Sequence, residues 1–276
     1  MMVAHDPWHE VAQQAQAQWE AFLADPSAEE PVHQARVKLR QLRSMLAAVK
    51  KAVEPEAYAF WQQVWRDISR LLGSLRQYDV LDEGWRLLEE QRGPLADDGG
   101  TDLPWRRLRR QETAPVRAAA LALPCGPLWQ RFDAWLVCYR QGVSRAKERR
   151  AAQRRLDRWV EQLAALSRQD RAYQNIPLAH ERRILGKKLR YALAAFFPEA
   201  PPELGLALKR WQACLGVLHD SLLHCELARR WADERQLSAE QTGLLLGWEA
   251  GRAAFARKQA PKLEGEVIRL YRQWRQ

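Results

Sequence analysis

His33, Arg36, Arg40 and Arg43 recur 147 residues later as His180, Arg183, Lys187 and Arg190, with the same offsets of 0, 3, 7 and 10. At about 100° per residue those offsets fall in one narrow sector of a helix, so each set makes a cationic stripe down one side. Two histidine-headed basic stripes in one chain suit a polyanion bound at a duplicated site.

A second element follows each stripe. Arg66 precedes Leu72-Gly73-Ser74-Leu75 by the interval at which Lys209 precedes Leu215-Gly216-Val217-Leu218, and an acid comes shortly after each, Asp79 and Asp220. Glycine inside a helix costs about 1 kcal/mol relative to alanine, so two at matching places imply close helix approach or space kept for a ligand. The distance from histidine to glycine is 40 residues in the first half and 36 in the second, a difference one loop absorbs. Gly73 shares a helical face with Arg66, Arg70 and Arg76, and Gly216 shares one with Lys209, His219 and Asp220.

The elements that position these residues read as helices throughout. Leu39, Leu42, Leu46, Val49 and Val53 lie on a sector away from the first stripe. Leu185, Leu189, Leu193 and Phe196 lie nearly the same way from the second, which marks the core side of each helix. The composition is rich in Ala, Leu, Arg, Gln and Glu, and no period-two strand is evident. Breakers divide the chain into about eight segments. They are an amphipathic helix over Trp8 to Ala24, the first stripe helix from Glu29 to Val53, and a long helix from Pro55 to Gly93 with Gly84 a candidate bend. After an Asp97-Asp98-Gly99-Gly100 loop comes a helix from Pro104 to Leu121. Then follow Leu128 to Gln169 with a candidate break at Gly142, the second stripe helix from Ile176 to Phe197, and helices over Glu203 to Arg235 and Ser238 to Gln276. Ala260-Pro261 is a candidate break in the last. The expected fold is all-α, with four helices per half in matching order making a tandem pair of helical bundles. The halves are about 1–125 and 126–276, with Pro124 to Pro127 as the boundary, in a single domain over 1–276.

The 276 residues suffice for a substantial core. Forty-four Lys and Arg against 34 Asp and Glu leave a formal charge of +10, which favours nucleic acid, anionic membrane or another polyanion as partner. Thirteen Trp beside six Tyr and six Phe read first as large apolar packing between long helices. Cys125, Cys138, Cys214 and Cys225 have neither CxxC spacing nor the density of a disulfide framework, and suit reduced thiols in the cytoplasm. Met1 to Glu10 lacks a secretory pattern, and no stretch approaches the roughly 18 apolar residues of a membrane span.

The motifs from Val32 to Arg43 and from Leu71 to Val80, with their counterparts from His180 to Tyr191 and from Leu215 to Asp220, resemble those of the CHAD family, the conserved histidine α-helical domain. The resemblance extends over essentially the whole chain. It implies two tandem four-helix bundles related by a pseudo-twofold axis, with a basic cavity or pore between them that binds inorganic polyphosphate, in a stand-alone member that is cytoplasmic or sits on polyphosphate or polyester storage granules. Gln77 stands where the family usually has an acid, and His219 where Asn is common.

Polyphosphate carries about one charge per unit and no bases, so its site needs cations in line and no stacking platform. Arg grips two phosphate oxygens, whereas Lys is a point charge. Arg36, Arg40, Arg43, Arg183, Lys187 and Arg190 are the expected facing rails; His33 and His180 head them, and Arg66, Arg70, Arg76, Lys209, Arg210 and His219 join from neighbouring helices. Asp79 and Asp220 are expected to pair with cavity arginines, and Lys38 and Lys188 to be surface charges. Phosphate beside the histidines favours their charged form, which predicts tighter binding as pH falls from about 8 to 6. No catalytic residue, metal or cofactor is expected. A metal-phosphohydrolase reading, on His180, His219-Asp220, His224 and Cys225, is opposed by Arg183 and Lys187 beside His180. A nonspecific nucleic-acid binder is the stronger rival, though the stripes lack interleaved aromatics. A granule-associated protein docking through an exposed Trp-rich face is compatible with polyphosphate binding.

Overall fold

A computed structural model of the chain describes residues 6–92 and 103–276, which form ten α-helices and one 3-10 turn with no strand among them. The expected 97–100 loop lies outside the described residues. In order the helices are α1 (Pro7–Ala24), α2 (Glu29–Ala48), α3 (Pro55–Leu71), α4 (Gly73–Arg92), α5 (Pro104–Ala122), α6 (Cys125–Gly142), α7 (Arg145–Gln169), α8 (Ile176–Phe196), α9 (Pro202–Asp233) and α10 (Ala239–Arg275).

Local chemistry sets these ends. Asp6, Ser144, Asn175 and Ser238 cap α1, α7, α8 and α10 by accepting backbone N–H bonds, and Ser238 with Gln241 forms a full capping box. Proline opens α1, α3, α5, α8 and α9, where its missing N–H costs nothing. Gly142 ends α6, as the sequence suggests.

Three boundaries differ from expectation. The stripe helix α2 stops at Ala48 and continues as the 3-10 turn Lys50–Ala52. The segment after Pro55 breaks at Leu72, whose φ of −84° and ψ of 10° leave the helix, not at Gly84. Gly84 is instead a contact point with α10, since a Cβ there would lie 3.3 Å from Arg252 and 3.5 Å from Glu249. Pro261 does not break α10; the helix runs through it and forgoes the one bond to the Arg257 carbonyl.

Packing follows the repeated order. α1 lies on α2 and α7 on α8, α2 meets α7 while α1 meets α8, and α4 lies on α5 as α9 lies on α10. The two stripe helices α2 and α8 touch each other directly. One large core joins α1, α2, α3, α6, α7, α8 and parts of α9 and α10, and a smaller one around Trp85, Trp105 and Trp231 joins the far ends of α4, α5, α9 and α10. Ten of the thirteen Trp are buried and Trp135, Trp248 and Trp274 are half-buried, so the Trp are core packing and the expected exposed Trp-rich face does not form. Trp61, Trp65 and Trp129 stack in series at centroid distances of 5.3 and 4.7 Å.

Candidate functional site

The stripes lie on the sides of α2 and α8 that their buried apolar sectors leave free. On α2, Val32, Ala35, Leu39, Leu42 and Leu46 are buried, and on α8, Leu185, Leu189 and Leu193 are buried. The intervening Arg36, Arg40, Arg183 and Lys187 are left facing a cleft walled by α2, α4, α8 and α9. This cavity, of about 420 Å³, is lined by His33, Arg36, Arg40, Arg76, Arg183, Lys187, His219 and Asp220, with Gly73 and Gly216 in its walls. A second chamber of about 330 Å³ shares Arg40, Arg183 and Lys187 with it and adds Arg43, Arg66, Arg155 and Lys188. Together the two present nine cationic side chains and one carboxylate, Asp220.

The glycines serve space. A Cβ on Gly216 would meet nothing within 4 Å, and one on Gly73 would make ordinary contact at 3.5 Å with Arg36. Of the two reasons the sequence allowed, room in the cavity is the one that fits. Close helix approach occurs at Gly186, a residue the sequence did not single out, where a Cβ would lie 2.5 Å from the Trp211 ring.

Several stripe groups are held in place. An Nη of Arg36 donates to the Ser69 carbonyl, and Arg43 Nε donates to Gln62 Oε1 at 3.4 Å while Gln62 Nε2 donates to the Arg43 carbonyl at 2.7 Å. Arg76 pairs with Glu83 at 2.7 Å and Arg183 lies 3.8 Å from Asp220. Asp79 departs from expectation: it is buried and accepts from Arg109 Nε of α5 at 2.7 Å, not from a stripe arginine.

Crowded cations with little counter-charge lose some of their charge preference. Burial, then Arg40 and Arg183, hold the Lys187 amine down to about 6 against an ordinary 10.5, with Asp220 opposing. Burial, then Arg40, Arg76 and Arg183, pull Arg36 down to about 10. Burial and Arg76 lower His33, burial with Arg183 and Lys187 lowers His180, and burial with Arg183 takes His219 to about 4. The empty cavity therefore holds neutral histidines at neutral pH.

Not every expected residue reaches the cavity. His180 is exposed and lines a separate apolar pocket, its ring 5.3 Å from that of His219. Arg190 donates to the Tyr191 hydroxyl and lies over that ring. Arg70 is exposed beside Asp67 at 3.9 Å, on the far side of the break at Leu72. Lys209 and Arg210 are exposed on α9, which runs unbroken from Pro202 to Asp233, and neither lines a chamber. Lys188, expected on the surface, lines the second chamber, and Arg155 of α7 joins it unanticipated. Both cations lie over the Trp159 ring, at 5.6 Å for Arg155 and 5.9 Å for Lys188. Arg155 sits in a run of cations whose spacing marks none of them, so no sequence signal singled it out.

His224, needed by the metal reading, is buried and bonded to Glu249 at 2.8 Å, which also accepts from Ser221 at 2.6 Å. Among the described residues no three His, Cys, Asp or Glu converge to hold a metal ion. Nor is any described helix long and apolar enough to cross a membrane.

No curated protein matches the chain. Among solved structures, the CHAD domain from the plant Ricinus communis is similar with a TM-score of 0.69 at 21% identity, over 94% of this chain and 88% of that one, which shows a shared fold. The CHAD domain sequence profile matches residues 8–229. That span takes in both stripe helices and both glycine elements, and by it the chain belongs to the CHAD family.

Proposed function

We propose that this protein is a non-catalytic binder of inorganic polyphosphate, which threads the two connected chambers between α2 and α8. The observation that carries the reading is the charge balance: the two chambers, which share Arg40, Arg183 and Lys187, are lined by nine Lys and Arg side chains and a single carboxylate. Such an arrangement is costly unless a polyanion completes it. Arg36, Arg40 and Arg183 supply guanidinium donors for phosphate oxygens in the first chamber, beside Arg76, whose two Nη groups are held by Glu83, and Arg43, Arg66 and Arg155 continue the rail in the second. Lys187 sits at the junction and belongs to both. Apart from the histidines, Tyr58 is the one aromatic residue lining either chamber, so stacked bases find no platform and polyphosphate is favoured over nucleic acid.

The test is binding of long-chain polyphosphate across a salt series, for the native protein and the Arg36→Ala/Arg183→Ala pair, with single-stranded DNA as competitor. Counterion release predicts a slope of log affinity against log salt of about −0.7 per phosphate neutralised, hence roughly −6 if all nine cations engage. Losing two guanidinium contacts should weaken binding by about a hundredfold or more and make the slope shallower by about 1.4. Equal affinity for DNA, or an unaltered double variant, would refute the cavity as the site.

A further inference from the structure

Beside the basic cavity lies a pocket of different character. About 280 Å³ in volume, it is bounded by the start of α8, the middle of α9 and Arg257 of α10. Its walls are mainly hydrocarbon, with Leu215, Leu218 and Leu222 along one side and Ile176, which is 55% exposed, at its margin. Two guanidinium groups, Arg183 and Arg257, line it. The Nε of each is buried and finds no hydrogen-bond acceptor among the described residues.

These features select a ligand. An apolar wall excludes a polyanion, because every charge beyond the first would be buried against leucine without a partner. Two guanidinium groups in the wall equally disfavour a purely apolar occupant, which would take them out of water without a counter-charge. What satisfies both is one anionic head on a short hydrocarbon body. A carboxylate matches the planar guanidinium fork, and a space of about 280 Å³ has room for a short hydrocarbon chain behind it. We propose that this pocket binds a medium-chain carboxylate, its head between Arg183 and Arg257 and its chain along Leu215, Leu218 and Leu222. His180 and His219, both pocket-lining, offer ring N–H groups to the head without adding full charge. Arg183 and His219 also line the basic cavity, so the carboxylate and a polyanion draw on the same groups, but the pocket's occupancy does not require polyphosphate.

Calorimetric titration of the full chain with octanoate, below its micellar concentration, tests the assignment. Octan-1-ol serves as the uncharged control, and Arg257→Gln, Leu222→Trp and Arg36→Ala as variants. The expected result is one saturable octanoate site, at least tenfold weaker for octan-1-ol and in Arg257→Gln, blocked in Leu222→Trp and unchanged in Arg36→Ala, since Arg36 lines the basic cavity alone. No saturable binding, equal binding of acid and alcohol, or an unaltered Arg257→Gln variant overturns the proposal. Loss in Arg36→Ala with retention in Leu222→Trp would place the carboxylate in the basic cavity and overturn it too. Should Leu222→Trp fail to fold, Arg257→Gln decides alone.

Discussion

Polyphosphate binding should take up a proton at Lys187, and the size of the effect follows from the cavity's charge balance. In the empty site burial and the neighbouring Arg40 and Arg183 hold the amine down to about 6, so near pH 7.5 it is mostly neutral. A bound polyanion supplies the missing counter-charge and returns the amine toward its ordinary 10.5. The bound state then holds more protons than the free state, so affinity rises as pH falls. The window runs from the bound pKa down to the free one and closes below about 6, where the empty site is already protonated. Between about pH 8.5 and 6.5 the linkage is about one proton, or about tenfold in affinity per pH unit, about a hundredfold and 2.7 kcal/mol across the range. The histidines, lowered in the empty site, enter mainly toward and below the acid end. Calorimetry at pH about 7.5 in buffers of differing ionisation enthalpy counts the protons directly, and one per site is expected. Lys187→Arg should bind with a flattened pH profile and tighter at the alkaline end, because its charge is permanent. Zero net proton uptake, or a Lys187→Arg profile as steep as the native one, would refute the reasoning.

Two further substitutions test the packing that keeps the cavity open. Gly186→Ala drives a methyl group to 2.5 Å from the Trp211 ring, itself fixed by its indole N–H donating to the Tyr173 hydroxyl at 3.0 Å, and should cost about 1–3 kcal/mol in denaturant unfolding. Gly216→Ala meets nothing within 4 Å and should instead raise stability by up to about 1 kcal/mol, read as a higher urea midpoint with unchanged m. The reverse order of the two midpoints would contradict the roles given to these glycines.

Much of the fold is legible in the sequence because helix caps and apolar periodicity are local. Pro55, Gly142 and Ile176-Pro177 mark ends of their helices, and the phase between the stripes and Leu39 or Leu189 states which side faces the core. The break at Leu72 is not legible: Gly84 is the more conspicuous residue, yet its role is set by Glu249 and Arg252, about 165 residues away. The duplicated stripes likewise identify Arg36, Arg40, Arg183 and Lys187, since the same spacing twice is a signal no single helix provides.

Where the repeat is extended residue by residue it fails, and the failures share a cause. Arg43 and Arg66 line the second chamber, whereas their counterparts Arg190 and Lys209 do not. Spacing along a helix fixes which side a residue occupies, but not what stands opposite, and the two halves meet different neighbours. Opposite Arg43 stand Gln62 and the gap toward α7; beside Arg190 stands Tyr191, whose ring and hydroxyl take the guanidinium. His33 and His180 diverge in the same way, one in the cavity wall and the other at the apolar pocket. Residues of the first stripe thus lengthen the cationic space, while the head of the second borders an apolar one. Arg183 stands where all three spaces meet, which makes it the residue whose loss should disturb the whole site most.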